Sequence, residues 1–303
     1  MGHTTNRPHL RRWLLAVICL LALAMLGLGA VAVIRHITHY ADRAAVESIP
    51  ETPAVPAVEE DPYIEGLARN VYDGLFYQDG NFVRYEGYTP SHIGVDVSAH
   101  QQQIDWQQVA DSGVEFAMVR AGYRGYTKGD LERDAYFTQN VDGAAAAGLD
   151  VGVYFFSQAI TTDEALEEAD LVLELLDGRT LAYPIVFDWE DIEADARTDG
   201  MTSPLLTEIA AAFCARVEAA GYQSGIYFNQ RFGYQEFDLL QLQGKTFWLA
   251  EYNIPPTFAY DFQIWQYTND GTVPGISTPV DLNLSFGDWG ASNEDTEPTR
   301  STE

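Results

Sequence analysis

The sequence predicts an α/β protein whose main domain is a (β/α) barrel, regular at first and incomplete in its second half. Three observations predict it. Between residues 91 and 290, short β-favouring apolar runs alternate with amphipathic helical stretches, the pattern of right-handed βαβ units around a parallel sheet. The runs number about eight, the count that closes such a barrel. The helical stretches after the fifth run are short or absent.

Taken in order, the chain opens with residues 1–12, which carry Arg7, Arg11 and Arg12. Trp13–Ile34 is then an unbroken apolar run of 22 residues, about 33 Å long as a helix at roughly 1.5 Å per residue. The arginines before it predict a single-pass membrane helix with 1–12 in the cytoplasm and all that follows outside it. The alternative is secretion after signal cleavage near Ala30-Val31-Ala32. Residues 35–62 form a linker whose Pro, Ala and Glu content from Ala41 to Pro62 cannot build a core. At roughly 3 Å per residue its twenty or so Pro-rich residues could hold a domain up to about 60 Å from a bilayer. Residues 63–90 carry enough aromatics for partial order, packed on the domain that follows.

Within 91–290, strands are expected near Ile93–Val97, Phe116–Ala121, Val151–Phe156, Pro184–Asp188, Ser224–Phe228, Thr246–Tyr252, Phe262–Tyr267 and Val280–Leu284. Thr161 and Glu164 have the spacing of a capping box before an amphipathic helix. Ser203 with Pro204 is expected to open a helix over Leu205–Ala220, which Gly221 stops. The tail, 291–303, is polar and predicted disordered.

The totals narrow the function. A net charge of -28 and a pI of about 4.3 argue against a nucleic-acid partner, which needs basic patches. The two cysteines, Cys19 and Cys214, lie in the apolar N-terminal run and in a predicted helix, so no internal disulfide is expected. No G-x-S-x-G elbow occurs, and Cys214 has no activating neighbourhood. No cofactor motif appears, and no H-x-x-x-H or H-x-H pair stands near the acids to suggest a zinc site. Neither a cofactor nor a metal is therefore expected.

The chemistry gathers at Y-P-I-V-F-D-W-E-D, residues 183–191. A buried strand ends in Asp188 and Glu190, two residues apart and so on one side of the chain. Neighbouring acids do not ionise independently, and one proton tends to be retained near neutral pH. A proton donor beside a carboxylate is what glycoside hydrolysis requires. The other strand ends bring Asp96, Arg120 and Tyr123, Tyr154, Tyr227 and Asn229, Trp248 and Glu251, Trp265 and Gln266, and Asp281 toward one rim. Carboxylates, stacking rings and amide groups suit a polysaccharide groove.

These residues resemble glycoside hydrolase family 25, the N-acetylmuramidase type of lysozyme. The likeness runs from Gly94 to Phe286, through G-V-D-V-S-A-H-Q-Q-Q-I-D-W at 94–106, V-R-A-G-Y-R-G at 119–125 and G-V-Y-F-F-S-Q-A at 152–159. It continues through P-I-V-F-D-W-E at 184–190, G-I-Y-F-N at 225–229, F-W-L-A-E-Y at 247–252, W-Q-Y-T-N-D-G-T-V-P-G-I at 265–276 and V-D-L-N at 280–283. The resemblance implies a flattened, irregular, TIM-barrel-like (β/α) barrel. The catalytic domain is expected to be monomeric. It implies hydrolysis of the β-1,4 bond between N-acetylmuramic acid and N-acetylglucosamine in bacterial peptidoglycan. It places Glu190 as general acid and Asp188 as the partner of the substrate's own 2-acetamido group. Asp96 and Asp281 match the family's other two acids. Gln102 departs from the pattern where Gly is common, and Phe155 where His is. The rival expectations are a catalytically silent wall-glycan receptor, which would not need the acid pair, and a hydrolase of chitin-like polymers.

Overall fold

A computed structural model describes residues 64–192 and 195–289. The expected membrane helix at 13–34, the linker over 35–62 and the tail from 291 lie outside the described residues. Among those described, no helix is long and apolar enough to cross a membrane.

The lead-in forms a hairpin of β1 (Leu75–Asp79) and β2 (Phe82–Glu86). Asp79 pairs with Phe82, leaving a two-residue turn whose first position, Gly80, has φ +62°, a conformation glycine adopts without strain. A two-stranded ribbon is unstable alone, and aromatic contacts hold this one to the barrel. Tyr72 stacks on Phe286 at 3.9 Å, and Phe76 meets Trp265 edge-on at 5.4 Å.

Beyond it come β3 (Ser91–Val97), α1 (Trp106–Asp111), β4 (Phe116–Arg124), β5 (Leu131–Arg133), α2 (Phe137–Ala146) and β6 (Asp150–Ser157). Then follow α3 (Thr162–Leu176), β7 (Ile185–Trp189), α4 (Ser203–Ala219), β8 (Ser224–Asn229), β9 (Thr246–Ala250), β10 (Ile264–Gly271) and β11 (Val280–Phe286). All eight expected strands are present. They run β3-β11-β10-β9-β8-β7-β6-β4, and a β3–β4 pairing closes the ring, with β5 added outside β4. After α4 only a five-residue wide helical turn, Phe232–Glu236, interrupts the loops between strands. The second half of the barrel thus lacks its helices, as the sequence pattern predicts.

One expectation is corrected. The sheet is not wholly parallel, because β11 runs antiparallel to both β10 and β3. The loop 272–279 carries no helix and is too short for a crossover of a dozen or more residues, so the chain turns straight back. Asp281 consequently stands at the start of its strand, yet at the same rim as the ends of the others.

The helix boundaries follow local chemistry. Thr161 caps α3 by accepting from the Glu164 N–H at 3.2 Å, while the Glu164 carboxylate reaches back to the Ile160 N–H at 2.8 Å. That is a capping box displaced by one residue. Helix α4 begins at Ser203, earlier than expected, with Thr202 in the capping position. Ser203 does not cap it; its hydroxyl donates to the Gln235 carbonyl. Gly221, at φ +91°, follows its end.

Strand alternation divides the core. Phe116, Met118, Tyr183, Val186, Tyr227, Trp248 and Ile264 fill the barrel interior. The opposite faces join α1–α4 in a larger layer, where Phe187 meets Phe213.

Candidate active site

Register brings the acids together. Asp281 pairs directly with Asp96 across the β11–β3 ladder, and both project to the inner face. Asp96 Oδ2 accepts from Asn283 Nδ2 at 2.8 Å and from Gln266 Nε2 at 3.0 Å. Burial pushes the Asp96 carboxyl up, against those two amides and a hydrogen bond from Asp281 that favour its anion. Asp281 lies well above the ordinary carboxylate range, first through burial and then through the charge of Asp96. Both carboxyls are thus pushed up by burial, Asp281 further by its neighbour, and the two titrate as a pair.

Asp188, next to last in β7, is buried on the same face, and Glu190 stands one residue beyond the strand. Burial, then Glu190 and Asp96, raise Asp188 well above the usual range, while Arg120 opposes them. Its Oδ1 is sealed from solvent with no hydrogen-bond partner. Glu190 is raised to about 7, by burial first and then by the charges of Asp96 and Asp191. A carboxylic acid titrating near neutrality beside further carboxyls is poised to donate a proton.

Around the acids lies a hydrogen-bonded floor. Trp248 Nε1 donates to Asn283 Oδ1 at 2.9 Å, and the Tyr227 hydroxyl donates to Gln266 Oε1 at 3.0 Å. Tyr154 meets the Trp248 ring edge-on at 5.8 Å. Trp248 is only 1% exposed, so its ring is floor and not a free stacking face. Both Tyr154 and Tyr227 are held protonated, by burial first and then by the neighbouring carboxylates.

On β4 the ladder slips between Arg120 and Gly122, so that Arg120 pairs with Tyr154 and Tyr123 with Phe156. This bulge keeps Arg120 and Tyr123 on one face although they are three residues apart. The Arg120 guanidinium lies 5.5 Å from the Tyr123 ring centre. It is buried, and its Nε donates to Asp134 Oδ2 at 3.0 Å.

Three candidates are used elsewhere. Asn229 Oδ1 accepts from the Phe232 N–H and caps the wide turn. Glu251 faces outward and accepts from the main-chain N–H groups of Thr257 and Phe258 and from the Thr257 hydroxyl. Trp265 is buried in the outer layer, its Nε1 bound to the Glu251 carbonyl at 2.7 Å. Glu251 and Trp265 are thus corrected from rim to scaffold. Asn283 and Asp134 were missed. Asn283 stands two residues after Asp281 and hence on its face, a signal present in V-D-L-N. Tyr252 was also missed; it is 46% exposed at the rim and its hydroxyl donates to Gln266 Oε1. Among the described residues no His, Cys, Asp and Glu group has the arrangement of a metal centre.

The glycosyl hydrolases family 25 model matches residues 95–276. The chain belongs to that family. It is 28% identical over 238 residues to the Escherichia coli K12 protein YegX, covering 72% of this chain and 82% of that one. It is 29% identical over 210 residues to lysozyme M1 of Streptomyces globisporus, covering 64% and 67%. The modular autolysin LytC of Streptococcus pneumoniae has a similar fold, with a TM-score of 0.57 at 24% identity. That match covers 72% of this chain and spans about half of LytC, 52%. The family-25 chain is therefore a glycoside hydrolase by descent, with Asp96, Asp188 and Glu190 inside the matched segment and Asp281 five residues past it.

Proposed function

We propose that this family-25 enzyme is a peptidoglycan muramidase, cleaving the β-1,4 bond between N-acetylmuramic acid and N-acetylglucosamine. The observation that carries the reading is Glu190 raised to about 7 at the end of the strand that also presents Asp188. Glu190 protonates the leaving oxygen. The Asp188 carboxyl group, on the inner face of the same strand, accepts the N–H of the substrate's 2-acetamido group, whose carbonyl oxygen attacks the anomeric carbon in place of a protein nucleophile. Asp96 supplies fixed negative charge to the oxocarbenium-like transition state. The lysozyme name of the Streptomyces relative and the autolysin name of LytC support the same substrate.

We propose further, from the sequence before residue 64, that the apolar run 13–34 anchors the enzyme on the outer face of a membrane and that residues 35–62 set its distance from the wall. Fractionation of cells with the full chain and with a chain lacking residues 1–60 tests this part. Recovery of the full chain in the soluble fraction would refute it.

The test of the activity is digestion of purified peptidoglycan followed by mass spectrometry. Muramic acid at the new reducing ends is expected, with turnover in Glu190→Gln reduced on the order of 10²–10⁴-fold. Release from N-acetylglucosamine oligomers but not from peptidoglycan would favour the chitin-like reading instead.

A further inference from the structure

The last β6–β7 pairing joins Ser157 to Trp189, and the last β7–β8 pairing joins Asp188 to Tyr227. Glu190 thus lies beyond the ladder that fixes the rest of its strand. Among the described residues, no protein donor reaches its carboxyl group.

Its main chain is gripped instead. The buried side chain of Gln158 donates from Nε2 to the Glu190 carbonyl at 2.9 Å, and also to the Ser157 carbonyl at 2.9 Å. Gln158 Oε1 accepts from the Thr198 hydroxyl at 3.2 Å. The Gln158 carbonyl accepts from Arg197 Nη1 at 3.0 Å, and Arg197 forks onto both carboxylate oxygens of Glu164. The Arg197 main-chain N–H is in turn fixed on the Tyr126 carbonyl. Burial raises the Glu164 carboxyl, but Arg197, the Ile160 N–H and Arg124 outweigh it and leave the group anionic.

We infer that Gln158 is a positioning residue for the general acid, its side-chain amide fixing the Glu190 peptide unit while Thr198 holds that amide and Arg197 holds the Gln158 main-chain carbonyl. The inference rests on Glu190 acting as the acid. Two features support it. A buried amide with all its polar atoms used has one arrangement available to it, so it transmits position. The bonds also join segments 32 and 40 residues apart in sequence, and all of them meet at the acid or at the loop that follows it. A Glu side chain on an unfixed peptide would wander by an ångström or more, and such misplacement costs on the order of 10²-fold in rate.

The test uses the full chain. Gln158→Met keeps the length of the side chain and removes all three of its hydrogen bonds. We expect kcat on peptidoglycan to fall on the order of 10–100-fold with KM nearly unchanged. The alkaline limb of the kcat profile should move to lower pH, because Glu190 relaxes toward water and loses the burial that raises it. Thr198→Val, which removes only the bond to Oε1, should shift the limb in the same direction by less, and it decides the matter if Gln158→Met fails to fold. Tyr222→Phe removes a bond to the Arg179 carbonyl at the far end of the barrel; it should lower the melting temperature and leave the limb in place. Wild-type kcat and an unmoved limb in a folded Gln158→Met or Thr198→Val protein would overturn the inference. Retained activity in Glu190→Gln would instead overturn the assignment of the acid itself, so the two failures are distinguishable.

Discussion

Asp96→Asn is the sharpest perturbation available, because the charge of Asp96 acts on Asp188, Glu190 and Asp281 at once. The replacement keeps the shape, and its Oδ1 can still accept from Asn283 and Gln266, so the floor remains connected. What is lost is the negative charge. Burial is the larger cause of the raised Glu190 and persists in the variant, so the acid should settle between its ordinary 4.5 and its present value of about 7. Taking the shift as about one pH unit, the protonated fraction at pH 7 falls from about a half to about a tenth. Loss of protonation alone then reduces the rate about fivefold at pH 7 and hardly at all at pH 5. A uniform loss, from weaker transition-state stabilisation, is expected on top of it. The assay is the initial rate of muropeptide release between pH 4 and 9 at constant ionic strength, read as kcat/KM. The acids titrate as a group, so the limb is an apparent value for the cluster. An alkaline limb that stays in place, or moves upward, would refute the claim that Asp96 keeps Glu190 protonated.

Other consequences follow from the same contacts. Glu190 has a folded value of about 7 against an ordinary 4.5, so the stability it contributes is fully present below about pH 4.5 and lost as pH rises through 7. Glu190→Gln should therefore match wild type in unfolding free energy at pH 4 and exceed it at pH 8, by about 1–2 kcal/mol given its partial exposure; equal stability at both pH values would count against the raised value. Arg120→Met leaves Asp134 buried without its cation and should cost about 3–5 kcal/mol in urea unfolding. Glu251→Gln disturbs the loop ending at Phe258 and should cost about 1–3 kcal/mol while KM for peptidoglycan stays unchanged; a raised KM would return Glu251 to the groove. Gln102 adopts φ 55° and ψ -126°, so Gln102→Gly should relieve about 1 kcal/mol of backbone strain, measurable as a higher melting temperature.

The eight strands were legible because each is a short apolar run with its own boundary signals, and those signals are local. The direction of β11 was not. A run such as Val280–Leu284 reads the same whichever way it enters the sheet, and only the length of the preceding loop decides. The hairpin was half legible. The aromatics of 63–90 announced packing, but Tyr72 and Phe76 find Phe286 and Trp265, rings about two hundred positions away, and no local pattern names such partners.

At the rim the deciding variable is strand parity. A residue at a strand end reaches the site only if its side chain falls on the inner face, and adjacent residues fall on opposite faces. The register shows how this sorts the candidates: Ile264 pairs with Trp248 and Gln266 with Ala250, so Gln266 shares the inner face with Trp248. Trp265, between Ile264 and Gln266, must then face the outer layer, and Glu251, one residue past Ala250, follows it outward. Asp188 escapes the ambiguity because Phe187 and Trp189 on either side of it are large and apolar, and the helix layer claims them. Arg120 and Tyr123 defy simple parity because a bulge lies between them, which composition does not betray. An acid flanked by bulky apolar residues at a strand end can therefore be placed from sequence, whereas an aromatic beside an amide cannot be placed until the register of the neighbouring strand is known.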